Sequence, residues 1–222
     1  LGMRASAESE TEAIRHLIAK TGLPVVETFQ GAGIISRALE DHFFGRVGLF
    51  RNQPGDMLLK RSDLVIAVGY DPIEYEARNW NAEKDARIIV IDEVPMEIDP
   101  YMQPEVELLG SIAKIIEQVT QAIDQYTLSA DAQNYLATLQ EKLTEKQIEA
   151  RGTEQTLHPL EIIDTLQQKL TDEMTVTVDV GSHYIWMARH FRSYEPRHLL
   201  FSNGMQTLGV ALPWVIAAAL VR

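Results

Sequence analysis

The sequence of 222 residues contains no cysteine, and no apolar run in it approaches the roughly 20 residues that a membrane-spanning helix needs. The first absence excludes disulfides and cysteine-ligated zinc or iron–sulfur sites, so redox chemistry would need a bound cofactor. The second, together with an N-terminus that lacks a basic stretch before an apolar one, predicts no membrane association and no secretion signal. We expect a cytoplasmic protein.

Basic side chains are scarce as well, with 20 lysines and arginines against 32 aspartates and glutamates and a formal net charge of −12. The acidic excess lies in residues 1–150, where 25 acidic side chains face 14 basic ones, whereas residues 151–222 hold 7 and 6. An acidic surface repels a phosphate backbone, so we expect no nucleic-acid partner. The nearly neutral last third would tolerate a phosphate-bearing ligand far better.

The common catalytic and nucleotide-binding motifs are missing. No Gly-x-Gly-x-x-Gly follows a predicted strand, because Gly31-Ala-Gly33 lacks the third glycine, and no Walker loop, nucleophile elbow or Ser/His/Asp set is present. The histidines lack the i, i+4 spacing of a zinc-binding helix, and Asp179 is at a strand end, where an aspartate is more commonly structural than a ligand.

The apolar pattern predicts an α/β fold. Near-continuous apolar runs over 63–69 and 86–92 are typical of parallel strands that are covered on both faces. Weaker patterns predict strands at 23–29 and 105–109, a short strand or a loop at 45–50, and helices at 9–21, 34–44, 54–61 and 111–124. Together they indicate a doubly wound parallel sheet.

The first predicted helix has two end signals. Ser9 and Glu12 have the spacing of a capping box, and Gly22 is a stop signal. In an α/β unit such a helix normally follows a strand, so we expect the first strand of this sheet to precede Leu1.

We expect two α/β units joined by a connector. Residues 1–125 form the first, and residues 126–156 form a helical connector, because the helix predicted over 129–151 has only a thin apolar stripe. Residues 157–222 begin a second, incomplete α/β unit, with predicted helices at 158–170, 183–191 and 211–220 and a strand at 175–180.

Two short stretches of the second unit have the features of a ligand site. Gly181 ends a predicted strand, so Ser182 and His183 fall at the start of a helix, where free backbone N–H groups attract an anion. Alternatively, His183 only caps that helix. Met205 and Leu208 lie in a glycine-flanked loop, where apolar side chains either wall a pocket or belong to the core.

These two stretches, Gly181-Ser-His183 and the run 203–214 (Asn-Gly-Met-Gln-Thr-Leu-Gly-Val-Ala-Leu-Pro-Trp), resemble the thiamine-diphosphate-dependent acetohydroxyacid synthase family. The resemblance is closest to its catabolic, FAD-independent acetolactate synthase branch. Further similar stretches run nearly from end to end, at 2–6, 28–33, 49–56, 68–75 and 91–92.

The resemblance implies a chain that comprises the central domain and the start of the C-terminal, diphosphate-binding domain of a three-domain enzyme. It implies that Gly181, Ser182 and His183 approach the cofactor diphosphate. Gln206 would contact the aminopyrimidine through its backbone, and Leu208 would be the apolar wedge that holds the cofactor bent, with Met205 beside it.

The activity implied is the condensation of two pyruvate molecules to 2-acetolactate and carbon dioxide, with thiamine diphosphate and Mg²⁺ and without FAD, in a homodimer or homotetramer. The activating glutamate would belong to a preceding domain and the Mg²⁺ ligands would follow Arg222. We therefore expect no catalytic residue and no metal ligand within these 222 residues, which alone should be inactive and bind the cofactor weakly.

Two other interpretations of the first unit remain. It could hold a nucleotide such as FAD or NAD, or it could be purely structural. They differ in whether a crevice at Gly31, Gly69 and Asp92 is open or filled by side chains.

Overall fold

The computed structural model describes residues 1–48, 52–123, 127–145, 156–202 and 205–221. Every strand pair in these ranges is parallel, which confirms the predicted α/β class. The helices are α1 (Glu8–Thr21), α2 (Pro54–Arg61), α3 (Ile112–Ala122), α4 (Ala130–Glu145), α5 (Pro159–Lys169), α6 (Ser182–His190) and α7 (Ala211–Val221). The strands are β1 (Val25–Thr28), β2 (Phe43–Val47), β3 (Leu64–Val68), β4 (Arg87–Asp92), β5 (Val106–Leu109), β6 (Val176–Val178) and β7 (Leu199–Phe201).

The strands are arranged in three sheets, with the orders β1-β2, β3-β4-β5 and β6-β7. Leu1 and Gly2 join the first two sheets edge to edge. The Leu1 nitrogen donates to the Val26 carbonyl at 2.8 Å and the Leu1 carbonyl accepts from Thr28 N–H at 2.9 Å. Gly2 N–H donates to the Val68 carbonyl of β3 at 2.9 Å.

Apolar side chains cover both faces of these sheets, as the sequence predicts for parallel strands. Val68 and Ile91 pack towards α1 and α3, whereas their neighbours Ala67 and Val90 pack into a separate cluster on the opposite face. This alternation follows from the two-residue period of a strand. The opposite cluster is completed by Val47, Tyr70, Tyr75, Ala77, Trp80, Ile88, Met96 and Met102.

The helix predicted over 34–44 is wrong. A 3₁₀ helix spans only Arg37–His42, and the chain then enters β2, whose five residues are all buried and pair with β1. Tertiary pairing therefore overrides the local helical pattern, because a buried strand position gains more from its partners than from intrinsic propensity.

The two end signals of α1 have different outcomes. The capping box is wrong: Ala7 is the N-cap residue, and the Ser9 hydroxyl bonds the neighbouring Glu10 carboxylate. The stop signal is confirmed, because Gly22 adopts a left-handed φ of 69° and donates its N–H to the Ile18 carbonyl.

Helix α4 lies against the first unit more closely than its thin apolar stripe predicts. Leu139 is completely buried against Phe44 and Leu58, and the Tyr135 hydroxyl donates to the Met57 carbonyl at 3.0 Å. Most of the rest of the predicted connector, residues 146–155, lies outside the described residues. No helix within the described ranges is long and apolar enough to span a bilayer.

Candidate functional site

The first part of the site is the short turn between β6 and α6, residues 181–183, which we call the shelf. Gly181 has φ 157°, and a Cβ at this position would lie 2.8 Å from the His183 ring. Ser182 and His183 are exposed, as the sequence predicts for residues at a strand end. Helix α6 begins at Ser182, one residue before the predicted start.

The shelf presents hydrogen-bond donors in a small space. The N–H groups of the first turn of a helix have no partner within the helix, and the helix dipole adds partial positive charge there. The Ser182 hydroxyl and the His183 imidazole add two side-chain donors. This set of donors fits the oxygens of a phosphate group.

The second part is the loop 205–209 that follows β7. Met205 is 88% exposed and Leu208 is 75% exposed, so neither belongs to the core of the described structure. Gln206 has a left-handed φ of 46°, which is uncommon for a residue with a side chain and is typical of functional turns. Asn203 and Gly204, which belong to the same motif, lie outside the described residues.

Asp179 connects the shelf to this loop. Its Oδ1 accepts from Val180 N–H and from Gly209 N–H, both at 2.8 Å, and its Oδ2 accepts from Ala211 N–H at 3.3 Å. These backbone hydrogen bonds hold the pKa of Asp179 below its ordinary value of 3.8. These contacts agree with the structural role that the sequence predicts for Asp179. Sequence reasoning did not identify the loop as the partner of its carboxylate.

The two parts share one edge because β6 and β7 are parallel neighbours. The shelf follows the carboxyl end of β6 and the loop follows the carboxyl end of β7, where open α/β sheets commonly bind ligands. Sequence reasoning missed β7. The apolar run Leu199-Leu200-Phe201, bounded by His198 and Ser202, is the signal that could have revealed it.

The crevice of the first unit is filled. Residues 1–5 occupy it, because a Cβ on Gly31 would lie 2.7 Å from the Leu1 carbonyl oxygen and one on Gly69 would lie 2.3 Å from Ala5 N. The Arg4 guanidinium binds the completely buried Asp92 carboxylate, with Nε 2.8 Å from Oδ1. The hydrogen bond with Asp92 raises the pKa of Arg4, so the guanidinium stays charged well above neutral pH.

Helix α7 borders a cavity that does not involve the predicted site residues. Its volume is about 520 Å³, and it lies between α7, β7 and the N-terminal segment, with Met3, Leu199, Trp214 and Val221 in its wall. No described residue of α7 is buried, although a helix that is apolar on all sides normally is. Across the described residues, no group of three His, Asp or Glu side chains is arranged to hold a metal ion.

Two family models match the chain. Residues 1–119 match the thiamine pyrophosphate enzyme, central domain, and residues 179–222 match the thiamine pyrophosphate enzyme, C-terminal TPP binding domain. The chain belongs to the thiamine pyrophosphate enzymes. Thiamine pyrophosphate is another name for thiamine diphosphate, so the family resemblance read from the two motifs is confirmed. The shelf and the loop both lie within the second matched segment.

Several proteins with similar sequences are named acetolactate synthases. An acetolactate synthase of Bacillus subtilis (strain 168) is 48% identical over all of this chain and 39% of its own length. A catabolic acetolactate synthase of Raoultella terrigena is 38% identical over all of this chain and 40% of its own. The acetolactate synthase isozyme 2 large subunit of Escherichia coli (strain K12) is 27% identical over 95% of this chain and 37% of its own. The chain thus spans about two-fifths of the length of these relatives.

Proposed function

We propose that these 222 residues are part of an acetolactate synthase, which condenses two pyruvate molecules to 2-acetolactate and carbon dioxide with thiamine diphosphate and Mg²⁺. The observation that carries the proposal is that the shelf and the apolar loop are both exposed at the same sheet edge. The hydrogen bonds of Asp179 connect them there. The similar acetolactate synthases support it, because they align with the chain over its whole length.

In this proposal the shelf binds the diphosphate through its backbone N–H groups, the Ser182 hydroxyl and the His183 imidazole. The Gln206 backbone contacts the aminopyrimidine, and Leu208, with Met205 beside it, packs on the cofactor and holds it bent. The exposure of Met205 and Leu208 agrees with this role, because a wedge must present its apolar side chain to the ligand. When bound, thiamine diphosphate supplies the carbanion chemistry that amino-acid side chains lack.

We propose further that the first unit binds no FAD. The support is the filled crevice at Gly31, Gly69 and Asp92, where a bound nucleotide would have to displace residues 1–5 and the ion pair between Arg4 and Asp92. This favours the purely structural interpretation of the first unit over the nucleotide-binding one.

The remaining parts of the site belong to regions outside these residues in our proposal. The activating glutamate precedes Leu1, the Mg²⁺ ligands follow Arg222, and the cofactor sites form between subunits of a homodimer or homotetramer. A diphosphate without its divalent ion keeps most of its charge uncompensated, so residues 1–222 alone should bind the cofactor weakly and be inactive.

The test is a calorimetric titration of the full-length protein with thiamine diphosphate in the presence of Mg²⁺, followed by an assay of 2-acetolactate formation from pyruvate. We expect saturable binding, product formation and a visible absorption spectrum without flavin bands. Absence of cofactor binding would contradict the assignment, and a flavin spectrum would contradict the FAD-free first unit. The 222-residue chain is the comparison, and tight binding to it alone would contradict the proposed division of the site.

A further inference from the structure

A buried ion pair of the first unit lies next to helix α6. Glu27 of β1 and Arg46 of β2 are paired in the register of the sheet, and their side chains are 0% and 1% exposed. Arg46 Nη1 reaches across to the second unit, where it donates to the Ala188 carbonyl at 3.1 Å and to the Phe191 carbonyl at 2.7 Å.

These two carbonyls belong to the last turn of α6 and the residue that follows it. The final carbonyls of a helix have no partner within the helix and carry its partial negative charge, so a cation there both donates hydrogen bonds and opposes the dipole. Arg46 therefore caps the C-terminal end of α6, the helix that begins at Ser182 of the shelf.

The Arg46 side chain makes closer contacts with the C-terminal end of α6 than with Glu27. Its Nε is 3.6 Å from Glu27 Oε2, and neither atom has a hydrogen-bond partner among the described residues. Burial lowers the pKa of Arg46 to about 10, against the opposing effect of Glu27, so the side chain is still charged at neutral pH. Burying a cation is unfavourable unless its partners compensate. The shortest polar contacts of Arg46 are with the Phe191 and Ala188 carbonyls at the C-terminal end of α6.

Arg192, just after α6, strengthens the same attachment. Its guanidinium donates to the Glu40 carboxylate at 2.9 Å and lies 3.4 Å from the centre of the Phe43 ring, both in the first unit. The C-terminal end of α6 is thus fixed to β2 and its surroundings. A helix of nine residues is about 13 Å long, so a tilt at this end displaces the shelf at the other.

We propose that Arg46 is a positioning residue for cofactor binding: it fixes α6 from the first unit and so holds the shelf in the geometry that receives the diphosphate. This inference rests on the proposed function. It gives the first unit a part in cofactor binding although its own crevice is filled.

The test uses the full-length protein with Arg46→Gln, and with Glu27→Gln combined with Arg46→Met. The double variant removes both members of the Glu27–Arg46 pair together, so neither is left facing an empty position if the single variant fails to fold. Arg192, whose Nη1 lies 3.7 Å from Glu27 Oε2, keeps its Glu40 partner in this variant. We expect both variants to raise the Kd for thiamine diphosphate at saturating Mg²⁺ by about tenfold or more, as for loss of residues that orient a binding group. The KM for pyruvate at saturating cofactor should not change.

Arg37→Gln is the matched control, because Arg37 also joins the two units, through Asp172, but makes no hydrogen bond or ion pair with a described residue of α6. Its Kd should equal that of the wild type. A folded Arg46 variant that binds the cofactor like the wild type would overturn the inference, and so would failure of both variants to fold, which would make Arg46 a residue of folding only. If the wild type itself bound no thiamine diphosphate, the proposed function would fail instead.

Discussion

The Asp179 carboxylate accepts a 2.8 Å hydrogen bond from the backbone N–H of Gly209, which lies 30 positions later in the chain. Asp179 follows β6 and Gly209 lies in the loop after β7, so this contact joins the two parts of the candidate site. A second hydrogen bond, from Ala211 N–H, ties the start of α7 to the same carboxylate. The relative placement of shelf and loop therefore depends in part on this side chain, together with the pairing of β6 with β7 and the Thr177 hydroxyl, which donates to the Ala211 carbonyl at 2.9 Å.

Asp179→Asn should weaken cofactor binding in the full-length protein. In the wild type, Gly209 N–H donates to Oδ1 and Ala211 N–H donates to Oδ2. The asparagine amide keeps one acceptor oxygen but places an NH₂ group opposite one of these N–H donors, so the loop loses part of its attachment. We expect a rise of about tenfold in the Kd for thiamine diphosphate, measured by calorimetry. Asp172→Asn, which removes only the partly exposed ion pair with Arg37, is the control. Equal affinity of the Asp179 variant and the wild type would show that the loop is held by other contacts.

Leu208→Ala should separate function from stability. Because Leu208 is 75% exposed, its truncation should change the free energy of unfolding of the 222-residue chain by about 0.5 kcal/mol or less. In the full-length protein the same change should greatly reduce the kcat for 2-acetolactate formation, because the cofactor loses its wedge. Ile73→Ala, at a site 71% exposed and remote in sequence from the shelf, should affect neither quantity. Full activity of Leu208→Ala would remove the wedge from the proposal.

Gly69→Ala should destabilise the chain more than Gly22→Ala, and the comparison tests the filled crevice. Both glycines have left-handed φ angles, 57° and 69°, which alone should make alanine unfavourable by about 1 kcal/mol. A Cβ at position 22 would meet no atom closer than 3.8 Å, whereas at position 69 it would lie 2.3 Å from the backbone of Ala5.

We expect a loss of about 3 kcal/mol or more for Gly69→Ala, measured by urea unfolding of the 222-residue chain. Equal losses for the two variants would mean that residues 2–5 move aside easily and that the crevice can open.

Glu74 should make stability fall as the pH rises. Glu74 is 7% exposed, and burial raises the pKa of its carboxyl group above the ordinary value of 4.5, in spite of hydrogen bonds from Met3 and Gln30 N–H. The folded state therefore binds the proton more tightly than the unfolded state. Its contribution to stability is complete below 4.5 and is lost as the pH rises through the raised pKa.

The measurement is the free energy of unfolding of the wild type minus that of Glu74→Gln, followed from about pH 4 to about pH 7, and we expect this difference to fall. Glu105→Gln provides a control of opposite sign, because the Arg87 hydrogen bond lowers the pKa of Glu105. The difference between the wild type and that variant should rise with pH only up to the unfolded value of 4.5 and stay flat above it. A flat profile for Glu74 would mean that water reaches its carboxylate.

The elements that the sequence predicts correctly are those with a strong local signal. β3 and β4 are continuous apolar runs, and α2 begins with Pro54 and ends in Lys60 and Arg61, so pattern and end signals agree. β2 is misassigned and β7 is missed, because their main stabilisation comes from a neighbouring strand distant in the chain. A local window contains no information on such a partner.

By itself, the sequence determined the α/β class, because that class depends on residue type and local period, and its resemblance to a known family pointed to the stretches 181–183 and 205–208 as the candidate site. Only the tertiary structure decided that Asp179 joins the two stretches, that residues 1–5 fill the crevice, and that Arg46 caps α6. Each of these depends on contacts between residues distant in the chain, whose distances and burial arise only when the sheets and helices pack together.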